Sequence, residues 1–185
     1  MTPPASVIAV AEAATRQSPC AKSRRGAVVF GASDDMVVTF GAGFNGQPAP
    51  FACTGTARCR ELCAKLCEHA EGRAIRAAAG EFHGVRMLGI ALRCDLVHVK
   101  IGDDGKLTAG GGPSCWQCSR AILDCGFIDG VWLYEETAAP PFDADVRVGD
   151  LLIPTVVTEK WKRWRRYTAE EFHRTTLHNC GMLEV

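Results

Sequence analysis

The 185-residue chain carries no net charge, because 21 lysines and arginines are matched by 21 aspartates and glutamates. That balance excludes a global field drawing the protein to nucleic acid or an anionic membrane, so any such attraction must be local. Long apolar runs are missing too. None reaches the roughly 18 residues of a membrane span, and MTPPASVIAVAEAATRQ lacks the basic start and unbroken apolar core of a secretion signal. The expectation is a cytoplasmic protein with no membrane partner. Internal repeats and low-complexity linkers are also lacking, which leaves a single domain over residues 1–185, with 158–185 as a C-terminal extension. The 47% hydrophobic and 23% charged content is that of an ordinary globular protein, long enough to bury a substantial core.

Cysteine is what the chain has in quantity, with ten residues. In a reducing compartment ten thiols are not a disulfide framework, and their spacing is better read for metal ligation.

The pattern of elements alternates. Ala5 to Arg16 is rich in helix formers, with Ile8, Ala11, Ala14 and Thr15 on one face and Ser18-Pro19 as a stop. GAVVF and MVVTFGAGF, separated by GASDD, predict an antiparallel hairpin. A cysteine-bearing stretch leads to a helix over about 69–79, stopped by Gly80. VRMLGIALRCDLVHVKI supplies a long strand. GDDGKLTAGGGPS reads as turn and loop, and a helix over about 116–124 ends at Gly126. VWLYEE and LLIPTVV are further strands, and a last helix covers about 168–177. Strands alternating with helices predict a central sheet covered by helices.

Two short motifs carry chemistry. In EHAEGRAIRAA, His69 and Glu71 stand two apart at the head of a predicted helix. In PSCWQC, Cys115 and Cys118 form a C-x-x-C at the head of another. Two thiolates at that spacing can bite one metal ion, and His69 can be the third ligand, leaving a fourth position for water. Glu71 then has a purpose, because an activated water needs a base to take its proton and an acid to return it to a leaving group.

Together, His69-Ala70-Glu71 and Pro113-Ser114-Cys115-Trp116-Gln117-Cys118 resemble the H-x-E and P-C-x-x-C signature of the zinc-dependent cytidine deaminase superfamily. SPCAKSRRGAVVF, GAGFNGQP and HAEGRAIRAA further resemble the deoxycytidylate (dCMP) deaminases, from about Ser18 to Tyr134. The resemblance implies a three-layer α/β/α sandwich with a central mixed sheet of about five strands. It implies zinc held by His69, Cys115 and Cys118, Glu71 as the catalytic proton carrier, and Asn45, Ala70 and Ser114 against the substrate. The implied reaction replaces an amino group on a nucleobase by a carbonyl with release of ammonia, first of all on a free cytosine nucleotide such as dCMP, in a homo-oligomer. Two departures stand out. Ser114 separates Pro113 from Cys115, and extra sequence rich in glycine and aspartate fills Ile101 to Gly112; both bear on the pocket more than on the reaction.

Other substrates stay open: a purine base or nucleoside, a modified pyrimidine, or cytosine in single-stranded nucleic acid. A noncatalytic zinc-binding module is the rival of another class, and Glu71 speaks against it, since a structural ion needs no neighbouring carboxylate. Cys20 and Cys53 fall where similar phage-type enzymes carry structural zinc ligands, and Cys59, Cys63 and Cys67 share one helical face. A second, structural zinc drawn from these five is expected. Cys94, Cys125 and Cys180 read as buried free thiols. The basic, tryptophan-bearing EKWKRWRRY reads as a solvated face ahead of a nucleic-acid grip.

Overall fold

Helix α1 (Ala5–Arg16) turns Val7, Ala11, Ala14 and Thr15 inward, while Ile8 is only half-buried. Strands β1 (Arg24–Ala32) and β2 (Val37–Phe44) form the expected antiparallel hairpin. The computed structural model describes residues 2–32, 36–48, 52–87, 93–137, 147–148, 151–152 and 161–182, so most of the GASDD turn lies outside it. Helix α2 (Ala57–Leu66) carries part of the cysteine-rich stretch.

Helix α3 (Ala70–Met87) begins where the sequence predicts but does not stop at Gly80. Two residues past that glycine, Phe82 is buried, stacked on Phe127 with ring centroids 4.5 Å apart and edge-on to Phe40 at 5.2 Å. Packing of one more turn outweighs a glycine's cost of about 1 kcal/mol in a helix. In consequence residues 85–87 belong to α3, and the strand predicted from Val85 is only β3 (Cys94–Ile101), with 88–92 outside the described residues.

Strand β4 (Leu107–Thr108) folds back on β3, turning the extra glycine-rich sequence into a short hairpin. Helix α4 (Trp116–Cys125) ends, as predicted, in Gly126, whose φ of 69° is the left-handed cap that glycine adopts freely. Strand β5 (Ile128–Thr137) follows. Strands β6 (Arg147–Val148) and β7 (Leu151–Leu152) pair as a small second sheet, and the rest of the predicted LLIPTVV strand lies outside the described residues. Strand β8 (Trp161–Thr168) then pairs along its length with β5, and α5 (Ala169–Asn179) closes the described chain. The basic tryptophan run is thus an edge strand of the main sheet.

The main sheet has six strands in the order β2-β1-β3-β5-β8, with β4 on β3. Only β3 and β5 run parallel, so the sheet is mixed. Alternation of side chains gives it two apolar faces. On one, Val28, Phe30, Val97, Val99 and Trp132 pack under α1; on the other, Ala27, Val29, Leu96, Val131 and Leu133 meet α3, α4 and α5. This is a three-layer α/β/α arrangement. Among the described residues no helix is long and apolar enough to cross a membrane.

Small residues set the position of α3. Ala70, Ala74 and Ala78 form one stripe of the helix, and Gly41 and Gly43 lie beneath it on β2. A Cβ on Gly43 would come within 2.6 Å of Ala70 O and Ala74 N, and one on Gly41 within 2.5 Å of Ala74 O. The glycines let helix and strand approach at backbone distance, which fixes where the helix begins.

Candidate metal centre

The N-terminal ends of α3 and α4 point at one spot. His69 is the residue before α3, and its carbonyl accepts the first helical bond from Arg73 N at 3.2 Å. A bridge between Gly46 and Glu68, with bonds of 3.1 and 3.0 Å, pins the entry to that helix on the loop after β2. Cys115 caps α4, its Sγ accepting from Cys118 N at 3.4 Å. His69 Nδ1 lies 3.1 Å from Cys118 Sγ. The ligand atoms of His69, Cys115 and Cys118 all fall within 4.8 Å of one another, and among the described residues no other such group occurs.

Helix N-termini carry unsatisfied N–H groups and a positive partial charge, so they favour anions. The cluster responds to this and to its own crowding. A hydrogen bond from Cys118 pushes the Cys115 thiol down to about 4 against burial, and the same bond, with burial and the Glu71 charge, holds Cys118 up. The two thiols titrate as a pair, the ionised form of one favoured by the protonated form of the other. His69 is raised, chiefly by Cys115. A dication would replace these protons and satisfy all three groups, and a set of two sulfurs and one imidazole suits zinc.

Glu71 sits in the first turn of α3 and is buried. One oxygen, Oε2, accepts a long contact from Cys118 Sγ at 3.8 Å; the other, Oε1, is 3.8 Å from His98 Nδ1. Burial pushes its carboxyl up, but His98, a backbone N–H and His69 outweigh this and hold it below the ordinary carboxylate range. His98 is itself buried, which pushes its imidazole down.

These groups line a cavity of about 530 Å³. Of the expected substrate contacts, Asn45, Ala70 and Ser114 all border it. The side-chain amide of Asn45 is already engaged: Oδ1 accepts from Ser18 Oγ and Arg25 N, both at 2.8 Å, and Nδ2 donates to Ser23 O at 2.8 Å. Asn45 therefore shapes the wall by tying the end of β2 to the start of β1. The carbonyls of Pro113 and Ser114 are gripped from the far end of the chain, by Asn179 Nδ2 at 2.8 Å and Cys180 Sγ at 3.5 Å.

A second group of thiols borders the same cavity. Cys53 Sγ is 3.9 Å from Cys20 Sγ and 3.5 Å from Cys59 Sγ. Cys67 is disulfide-bonded, against its expected place among the thiolate ligands of a second metal, and the Cys63 side chain lies outside the described residues. Cys94 is buried as expected, Cys125 is half-buried, and Cys180 is exposed, contrary to its reading as a buried thiol.

The sequence reading missed His98, Lys22, Arg25 and Lys100, all on the cavity wall. A signal existed for two of them. Cys94, Leu96, His98 and Lys100 share one face of β3, so polar groups in an otherwise apolar series mark where that face leaves the core for the cavity.

No family model matches the sequence, and no curated protein does either. Among solved structures the chain is similar to a cytidine deaminase from Burkholderia pseudomallei, with 17% identity, a TM-score of 0.45, and 93% of this chain and 96% of that chain covered. It is also similar to a dCMP deaminase from the cyanophage S-TIM5 in complex with dCMP and dUMP, at 19% identity and a TM-score of 0.40, over 69% of this chain and 81% of that one. A mutant cytidine deaminase from Mycobacterium tuberculosis matches at 16% identity and a TM-score of 0.34, over 68% and 81%. At these identities and scores the ground for function is the cluster's own geometry.

Proposed function

We propose that this protein is a zinc-dependent hydrolytic deaminase of an amino-bearing nucleobase, acting first of all on a free cytosine nucleotide such as dCMP. The observation that carries this is a buried carboxylate, Glu71, set against a three-ligand His/Cys/Cys cluster inside a cavity. A structural metal site has no use for such a carboxylate.

His69, Cys115 and Cys118 would hold the zinc ion. Bound there, zinc lowers the pKa of a coordinated water so that a nucleophile is available near neutral pH. Glu71 accepts the proton that water gives up and delivers it to the ring nitrogen beside the reacting carbon. It then takes the second proton and passes it to the departing amino group, so water and a C–NH2 become a C=O and ammonia. Its place at a helix N-terminus keeps the carboxylate ionised and ready to accept. Ala70 and Ser114, on either side of the cluster, contribute backbone polar groups to the base.

Charge on the wall supports a substrate bearing phosphate. Lys22, Arg25 and Lys100 border the cavity, and Glu71 is the one acidic residue there among those described. Two cations of the basic run on β8 are committed elsewhere: Arg166 pairs with Asp95 at 2.7 Å and Arg165 with Glu171 at 2.9 Å, and no described residue of the run borders the cavity. Free nucleotide is therefore favoured over polymer. For the second, structural ion, the three neighbouring sulfurs of Cys20, Cys53 and Cys59 are the supporting observation.

Ammonia release from a panel of bases, nucleosides, mononucleotides and short single strands, before and after chelation, tests the reading. A mononucleotide should turn over best, and chelation should stop it. No ammonia from any member of the panel, with the metal bound, leaves a noncatalytic metal-binding module.

A further inference from the structure

We infer that His98 is a positioning residue for Glu71, a partner from the sheet that orients the carboxylate within the cavity. The inference rests on the proposed role of Glu71 as proton carrier, and it concerns a residue that no sequence motif marks.

The geometry is specific. His98 stands on β3, and its neighbours across the sheet are Ala27 on β1 and Leu133 on β5, neither with a polar side chain to offer. The residue is 7% exposed. A histidine buried for structural reasons is expected to have both ring nitrogens paired. Here Nε2 has no hydrogen-bond partner among the described residues, and Nδ1 faces Glu71 Oε1 at 3.8 Å. That separation is about 1 Å beyond a hydrogen bond, and catalytic contacts commonly start long and tighten when substrate arrives. A small turn of the carboxylate closes it.

The alternative, that His98 merely fills space, leaves its identity unexplained. Next inward on the same face stands Leu96, fully buried in the core. An apolar side chain at 98 would avoid the unpaired nitrogen altogether. What imidazole adds is a ring nitrogen, Nδ1, facing one oxygen of Glu71, while the other oxygen is turned toward Cys118. With both oxygens addressed, the carboxylate has a defined plane, and a proton carrier must present a lone pair to water and then to substrate in fixed directions. Lys100, the next residue outward on this face, also borders the cavity, so one strand face runs from core, through the carboxylate's support, to the cavity wall.

The test uses three substitutions at His98, one at Glu71, and one spectrum. His98→Leu should lower kcat about 10- to 100-fold, the usual range for loss of a residue that orients a catalytic group, with KM and metal content nearly unchanged. His98→Asn, whose amide nitrogen reaches the place of Nδ1, should restore most of that loss. His98→Gln, which reaches the place of Nε2, should not. In a Glu71→Ala background, His98→Leu should cost nothing further, because the two act as one unit.

Nitrogen-15 spectra of histidine-labelled protein should show a His98 ring N–H protected from exchange that is lost on Glu71→Ala. Equal activity of the Leu and wild-type proteins, equal rescue by Asn and Gln, or a His98 signal indifferent to Glu71→Ala would each overturn the inference. Should no substrate be turned over, the reading of the reaction fails, while the spectrum still judges the His98–Glu71 pair.

Discussion

Two groups of thiols border the same cavity, and they are built differently. Cys115 and Cys118 stand at a helix N-terminus, with His69 at the start of a second helix and Glu71 one step beyond. Cys20 and Cys53 lie on connecting segments and Cys59 on the short α2, with neighbouring sulfurs 3.5 and 3.9 Å apart and, among the described residues, no carboxylate or imidazole hydrogen-bonded to them. One group is held by backbone that packing against the sheet has already fixed. The other ties together segments with little apolar surface of their own. On the proposed reading the difference separates a site for chemistry from one that would hold the chain, although both are made of the same side chain.

Breaking the first group should have the largest effect. His69→Ala or Cys115→Ala is expected to remove about one metal ion per chain together with all ammonia release, by loss of a ligand from a three-ligand set; metal analysis and a turnover assay check this. Glu71→Ala sharpens the contrast inside the group. Activity should fall about 10²- to 10⁴-fold, the range for loss of a general acid–base, while metal content holds. Turnover near the wild-type level in that variant would sink the assigned mechanism.

Breaking the second group should act on the fold. Replacing Cys53 by Ala is expected to lower the melting temperature and remove a second metal ion, leaving the His69 site loaded. If the active protein carries one zinc and its melting temperature does not move, these thiols are merely packed together.

Gly43→Ala probes what holds the first group in place. Its Cβ would meet the backbone of Ala70 and Ala74 at 2.6 Å, so overpacking should cost about 1–3 kcal/mol and displace the start of α3, lowering stability and kcat together. The smallest effect concerns a thiol in neither group. Burial first, then Asp95, Asp129 and Cys125, push Cys94 up to about 12, so at pH 8 it stays almost wholly protonated. In native protein, mass spectrometry after brief alkylation should find Cys180 modified and Cys94 untouched.

What the sequence showed and hid follows from the range of the interactions. The H-x-E and C-x-x-C pairs were legible because each is set by a few neighbouring residues, and the hairpin of β1 and β2 because its two runs and their turn are contiguous. The end of α3 was not, since Gly80 is a local stop and the packing of Phe82 on Phe40 and Phe127 is not local. Strand β8 reads as a solvated basic run until its pairing with β5 is known, for Arg166 reaches Asp95 across 71 positions. The alternation on β3 could have marked His98 as a polar position on a buried face, but not its partner, which lies 27 residues away. The glycines of GAGF read only as part of a predicted strand, and their use in the close approach of α3 shows in the packing alone.

The grip of Asn179 and Cys180 on the carbonyls of Pro113 and Ser114 spans 66 residues in each case. During synthesis the ribosome emits Cys115 and Cys118 long before α5, so the wall beside them stands open while the strand that completes the sheet and the helix after it are still in the tunnel. The carbonyls that precede Cys115 therefore gain these partners only when the end of α5 is in place, so a wall of the cavity depends on the last described turn of the chain.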